Sequence, residues 1–389
     1  MSKIESQPDQ TEPLSLFWRP DAAQVIERHK SWFLGKTKYL ITLTPKKWDA
    51  FNWDLSIDVP SIKPMETIDF DDDEQLSEFL TFRLDQYKKY WATKLEWKID
   101  DDFIPVFEPR IGWAEVVTPF YEPVTTQFYA QTSQILPVIT DYNSFDWSSF
   151  GFNPERKGSR FLKKINEWSF RQSKNAFIVQ PRGLDANPSD VAKAYRGSQL
   201  FIDFKDDPAN VHRLMELSTQ AVIDLIEYQR SVIGEKTLGG YGTTWHGGYW
   251  TPNNVIGHQG DNVSDLVSGK TFEEFILPYL QRFNSHFGGA VFARDFTSRQ
   301  IWNKLRKMGN VLAFKPRNMG AYKITTEDIR SIVRSTEGIP LFLQAFSFEE
   351  LTQFAQAVKE LNIRVFFVFD CQDKEEGERG VELIRNLGI

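Results

Sequence analysis

Short apolar runs that stop abruptly at charged or amide residues recur through the chain, and those stops are the residues able to do chemistry. Ile104 to Phe107 ends in Glu108-Pro109-Arg110, and Ala176 to Gln180 ends in Pro181-Arg182-Gly183. Ala290 to Ala293 ends in Arg294-Asp295, and Val311 to Phe314 ends in Lys315-Pro316-Arg317. Leu341 to Leu343 ends in Gln344, and Arg364 to Phe369 ends in Asp370-Cys371. An arginine fork at such a place suits bidentate capture of a carboxylate or phosphate, so Arg182, Arg294 and Arg317, with Lys315, point to an anionic ligand, and Glu108 with Arg110 forms a second substrate-site candidate. The alternative for Arg182 is an ion pair with Asp185. His246, set in Thr244-Trp245-His246-Gly247-Gly248-Tyr249-Trp250, is the acid/base candidate, because an imidazole titrates near neutrality. Asp261, Asp295 and Asp370 could stabilise a cationic intermediate or, with His246, bind a divalent cation. No short His-x-x-x-His spacing accompanies them, so the metal is left unassigned and zinc stays an alternative to no cofactor at all.

Positioning these residues falls to strands buried on both faces and the helices that follow them. Runs apolar throughout suit parallel strands covered by helices. Glu349 to Leu361 carries Leu351, Phe354, Val358 and Leu361 on one stripe, as a covering helix should. Asp207-Pro208 opens a helix with Leu214, Leu217, Ala221, Leu225 and Tyr228 on one side, and acidic residues before Glu74 open another reaching Trp97. A helix from Pro20 to Leu34, stopped by Gly35, precedes the first strand. Candidate strands begin at Tyr39, Ile104, Ala176, Tyr241, Ala290, Val311, Leu341 and Arg364. Eight suits a (β/α)8 TIM barrel with an N-terminal helical extension, although an open doubly wound sheet shares the same local grammar. The expected organisation is a disordered tail over 1–19 and a barrel over 20–389, with 20–103 as the extension including the first strand. In such barrels chemistry sits where strands end.

The overall composition narrows the function. A net charge of −7 without a long basic run argues against a nucleic-acid surface. No apolar stretch approaches ~18 residues, which leaves no membrane span and favours a cytoplasmic protein. The single cysteine excludes an intrachain disulfide and a multi-cysteine metal site. With 12 Trp and 32 Phe, aromatics suffice both for a core and for lining a ligand cavity. The Gly239-Gly240 and Gly247-Gly248 pairs fit no nucleotide fingerprint.

The run from Ser189 to Pro208, with its Arg196-Gly197 pair and Asp206-Asp207-Pro208 helix start, resembles the uroporphyrinogen decarboxylase superfamily. The segment Phe272-Glu273-Glu274-Phe275-Ile276-Leu277-Pro278-Tyr279-Leu280, preceded by Asp261 and followed by Gly288-Gly289, is similar to a helix and strand entry of that group. Ser31-Trp32-Phe33-Leu34-Gly35-Lys36 resembles its more distant branches. The resemblance implies a (β/α)8 barrel with its pocket at the strand C-termini. It implies a decarboxylase-like enzyme acting on a carboxylate-bearing small molecule; the strand-end reading assigns Arg182, Arg294, Arg317, Glu108 and Arg110 to the substrate and His246, Asp261 and Asp295 to catalysis, and Asp261 also matches an acidic position of the superfamily. It also implies an alternative, a methyltransferase that exchanges methyl groups with a corrinoid on a separate protein and holds zinc without thiols through Glu108, Asp261, His246 or Asp295. The sequence departs from both patterns. Thr44-Pro45-Lys46-Lys47-Trp48 stands where the decarboxylases carry an arginine-rich loop, and Phe292-Ala293-Arg294-Asp295 stands where the methyltransferases carry His-x-Cys. A barrel that only binds a ligand is the third reading, and a homodimer is left open.

Overall fold

The apolar runs do form strands, and their pairing decides the architecture. The computed structural model describes residues 16–46, 69–109, 111–129, 132–174, 176–180, 187–233, 240–244, 247–252, 255–294, 299–316 and 323–387. The parallel strands are β1 (Tyr39–Pro45), β2 (Val106–Phe107), β3 (Ile178–Val179), β4 (Ile256–Gly260), β5 (Ala290–Arg294), β6 (Val311–Pro316), β7 (Leu341–Ala345) and β8 (Val365–Cys371). Six of them form one parallel sheet in the order β1-β8-β7-β6-β5-β4, and β2 pairs parallel with β3. The first strand lies beside the last over seven residue pairs, from Tyr39 with Val365 to Pro45 with Cys371. That pairing of the two ends is how a sheet curls round on itself, and it separates this α/β fold of the TIM-barrel type from an open doubly wound sheet.

The other edge of β1 is met by side chains. Ile41 N–H donates to Asp102 Oδ2 at 2.8 Å and Leu43 N–H to Asp101 Oδ2 at 2.9 Å, while Asp102 N–H donates to the Ile41 carbonyl at 2.7 Å. Both carboxylates are buried. Cations balance them: Arg28 Nε lies 2.6 Å and Arg385 Nη1 3.0 Å from Asp102, and Lys94 and Arg19 pair with Asp101. Burial opposes ionisation of Asp102, but Arg385 and Arg28 outweigh it and hold the carboxyl below its usual range.

The expected strand at Tyr241 is a correction. Gly240–Thr244 and Gly247–Thr251 pair antiparallel with each other, Thr244 opposite Gly247, and the sheet strand is β4 further on. The glycine-rich halves are separated by only two residues, which favours a hairpin over a crossover. The hairpin sits against β2 through an Ile104–Gly248 bridge. Gly248 is required there, because a Cβ would lie 2.7 Å from the Ile104 carbonyl and run into Val106.

Two contact clusters lie on opposite faces of the strands. Ile41, Leu43, Phe292, Phe314, Leu343, Phe367 and Phe369 pack outward among the helices. Leu40, Val291, Ala313, Phe342 and Phe366 pack inward, joined by Tyr249 from the hairpin and Trp32 from the helix Ala22–Phe33. Phe342 and Phe366 stack at 4.8 Å, and Trp32 meets Phe342 edge-on at 5.4 Å. These aromatics floor the interior at the end where strands begin. Val25 and Ile26 of the same helix pack with Ile104, Val106 and Ile178, so the floor continues beneath β2 and β3. The covering helices start where the sequence caps them: Thr325 with Asp328 forms a capping box, and Ser347 and Asp373 accept from Glu350 N–H and Glu376 N–H. Of the expected tail, residues 1–15 lie outside the described residues. Leu16 and Arg19 are buried, Arg19 against Asp101.

Candidate active site

Above the floor the interior changes character. Strand alternation carries the inward face from Leu40 to Thr42 and Thr44, from Phe366 to Val368 and Asp370, from Phe342 to Gln344, and from Ala313 to Lys315. On β2 and β3 the same rule follows Val106 with Glu108 and Ile178 with Gln180, whereas Phe107 and Val179 pack outward with Trp91 and Phe177. Each of these polar residues is buried. They sit at or just past the C-terminal ends of six strands, where the fold places chemistry.

Gln344 Nε2 donates to Asp370 Oδ2 at 3.0 Å, which orients a buried carboxylate. Thr44 stands beside Asp370 and Thr42 beside Val368 in the β1–β8 register. The Gln180 N–H continues the ladder to the Phe107 carbonyl at 2.9 Å, while its side-chain Oε1 has no hydrogen-bond partner among the described residues. Lys315 is buried on the inward side of β6, the neighbour of β7. The arrangement offers a cation, oriented acceptors and neutral hydrogen-bonding groups inside a low-dielectric wall, where each contact with a ligand is strengthened.

Asp261 is also buried, but its partners belong to the surrounding elements. It accepts from Ser189 Oγ at 2.9 Å, from Ser264 N–H at 3.0 Å and from Ser264 Oγ. The Ser189 backbone N–H in turn donates to Asn187 Oδ1, so Asp261 ties the end of β4 to the helix Pro188–Arg196. Arg294 ends β5 opposite Pro316. Arg110, Arg182, Asp185, His246, Asp295 and Arg317 lie outside the described residues.

Cys371 faces outward beneath the helix Lys374–Asn386, with its Sγ near the Thr44 carbonyl, and burial pushes the thiol up to about 12. His29 is buried in the floor. Its Nδ1 accepts from Trp250 N–H at 2.9 Å, so Nε2 carries the proton it shares with the Asp102 carbonyl at 2.9 Å. Burial lowers its pKa to about 4, and the ring is neutral. Among the described residues no group of three or more His, Cys, Asp or Glu is placed to hold a metal ion. No described helix is long and apolar enough to cross a membrane.

Sequence reasoning marks Glu108, Lys315, Gln344 and Asp370 as ends of apolar runs, and all four share the inner layer. It gives no role to Thr42 or Gln180. Threonine is an ordinary strand residue, and Gln180 reads as the last letter of its run. The available signal was their position, two residues beyond an inward apolar side chain.

Fold and inner layer together define a TIM-type α/β protein with a polar interior above an apolar floor. Its structure is similar to that of a methyltransferase from Methanosarcina mazei, with a TM-score of 0.54 and 11% sequence identity over 93% of this chain and 97% of that one. At that identity the likeness is one of fold. No protein-family model matches the chain, and no curated protein does.

Proposed function

We propose that this protein is an enzyme of the uroporphyrinogen decarboxylase superfamily that acts on a carboxylate-bearing small molecule within the polar layer. The observation that carries the reading is the set of buried polar groups on inward strand faces above an aromatic floor, Lys315 on β6 and the hydrogen-bonded Gln344 and Asp370 on β7 and β8. A buried ammonium group on a strand end is suited to an anionic group on a ligand, and a fixed carboxylate is suited to charge that develops during reaction. In this reading Arg182, Arg294 and Arg317, with Glu108 and Arg110, complete the substrate site. His246 moves the proton, Asp295 and Asp261 supply negative charge, and no organic cofactor is held on the chain.

The likeness to a methyltransferase favours a second reading, methyl transfer with a corrinoid carried by another protein. Any zinc in that case is held without a thiol, since Cys371 lies on the outer face of the sheet. Glu108 and Asp261 are the described residues proposed as donors, with His246 and Asp295 as further ones. A thermal-shift panel of polycarboxylates, methoxylated aromatics and cobalamins, followed by turnover assays on each hit, separates the readings. The leading one expects stabilisation by carboxylates and loss of CO2 from at least one. Stabilisation by cobalamin with stoichiometric zinc moves the assignment to methyl transfer, and binding without turnover of any hit leaves a ligand-binding barrel.

A further inference from the structure

One level of the interior sets a lysine among small and aromatic residues. Gly260 on β4 lies level with Ala293 on β5, and Ala293 with Lys315 on β6. One residue beyond the Phe314–Leu341 pair, Lys315 comes level with Phe342 on β7, which stacks on Phe366 in the floor. Lys315 is 7% exposed. Its stem thus stands between an aromatic residue on one side and alanine and glycine on the other, which withhold bulk there. The carboxylate of Asp370 belongs to β8, beyond β7 and further along its strand than Phe366. An apolar wall is one way a protein makes a lysine nucleophilic, and a lysine amine condenses with carbonyl groups. Loss of CO2 leaves an electron pair on carbon that needs an acceptor, and a carbonyl converted to an iminium supplies one.

Resting on the decarboxylase-like reading above, we infer that Lys315 is a covalent nucleophile and that the substrate is a β-keto carboxylate. The lysine ammonium and the ketone condense to an iminium with loss of one water. The carbon–carbon bond to the carboxylate then breaks, CO2 leaves, and the electron pair of that bond moves into the iminium to give an enamine. The enamine carbon takes a proton from solvent to restore an iminium, which water hydrolyses to the product ketone and the lysine ammonium. The water released at the first step is returned at the last, so a turnover consumes one proton and needs neither oxidant nor reductant. In a β-keto acid a single carbon separates carboxylate from ketone, so the cation that draws in the anion is already beside the carbonyl it attacks.

The test is reductive trapping on the wild-type protein. Acetoacetate, oxaloacetate and acetonedicarboxylate are each incubated with sodium cyanoborohydride, and peptide mass mapping locates the reduced adducts. At least one of the three should modify Lys315 before the exposed Lys164, and excess 3-hydroxybutyrate or malate, which carry a carboxylate without the ketone, should slow that modification. Lys315→Arg keeps the positive charge but forms no iminium, so it should lose CO2 release from the trapped acid. Modification of Lys164 as fast as Lys315, or no adduct at Lys315 while carboxylates bind, overturns the inference and leaves the carboxylate reading standing. CO2 release that persists in folded Lys315→Arg overturns it as well, and if that variant does not fold, trapping in the wild type decides. Failure of every carboxylate to bind overturns the inference together with the reading beneath it.

Discussion

At the scale of single residues, burial decides which ionisable groups are structural. His29 has both ring nitrogens engaged and stays neutral because the floor cannot solvate an imidazolium. The consequence for stability has a definite sign. An unfolded chain takes up this proton near pH 6.5, and the folded chain only near 4. Between those values the unfolded state binds more protons, so stability falls as the pH falls, by about 1.4 kcal/mol per pH unit for one proton. Above about 6.5 and below about 4 this group contributes no slope. The stretch between about 6.5 and 5 separates it from carboxylates, whose unfolded range lies near 4. Urea denaturation across that stretch should show a steeper acid limb in the wild type than in His29→Gln. Identical limbs would mean that His29 is protonated or solvated in the folded state. Asp102 adds to acid sensitivity lower down, since its folded pKa is depressed and its ion pairs are lost as it protonates.

At the scale of elements, legibility followed the number of buried faces. β5 to β8 are apolar on both sides and stand out from any neighbouring helix, so their positions and their polar ends were readable. β2 and β3 are two residues long and draw on flanking bridges, which leaves little pattern. β4 holds Gly257, His258, Gln259 and Gly260, a composition that resembles a loop, and the glycine hairpin before it offered a better strand on paper. Only the pairing with β5 fixes its place, and that pairing includes a register shift. The hairpin has its own energetic test. Gly248→Ala places a methyl against the Ile104 carbonyl and Val106, so the hairpin must lift from β2. Overpacking of this kind costs roughly 1–3 kcal/mol, read as a lower urea midpoint at constant slope. An unchanged midpoint would show that the hairpin does not press on β2.

At the scale of the whole molecule, the two chain ends hold each other. β1 lies against β8, Arg364 donates to the Trp32 carbonyl at 2.6 Å and the Phe33 carbonyl at 3.0 Å, and Arg385 reaches Asp102. These contacts span more than 280 positions, which is why the inner layer could not be assembled from local pattern. Thr44 and Asp370 become neighbours only through closure. The consecutive pairing of β6, β7 and β8 puts Lys315, Gln344 and Asp370 on one inward surface, and the account stands on that surface being the ligand site. The most direct measurement is calorimetric titration of the tightest carboxylate from the panel into wild type, Lys315→Met and the control Lys164→Met, which removes an exposed ammonium paired with Asp73. Loss of a charge-assisted contact amounts to roughly 1.5–3 kcal/mol, or about ten- to a hundredfold in affinity. The account predicts that loss in Lys315→Met alone, with melting temperatures recorded on the same samples to show that each variant is folded. Equal affinities in all three proteins would contradict it and place the carboxylate somewhere other than the inner layer.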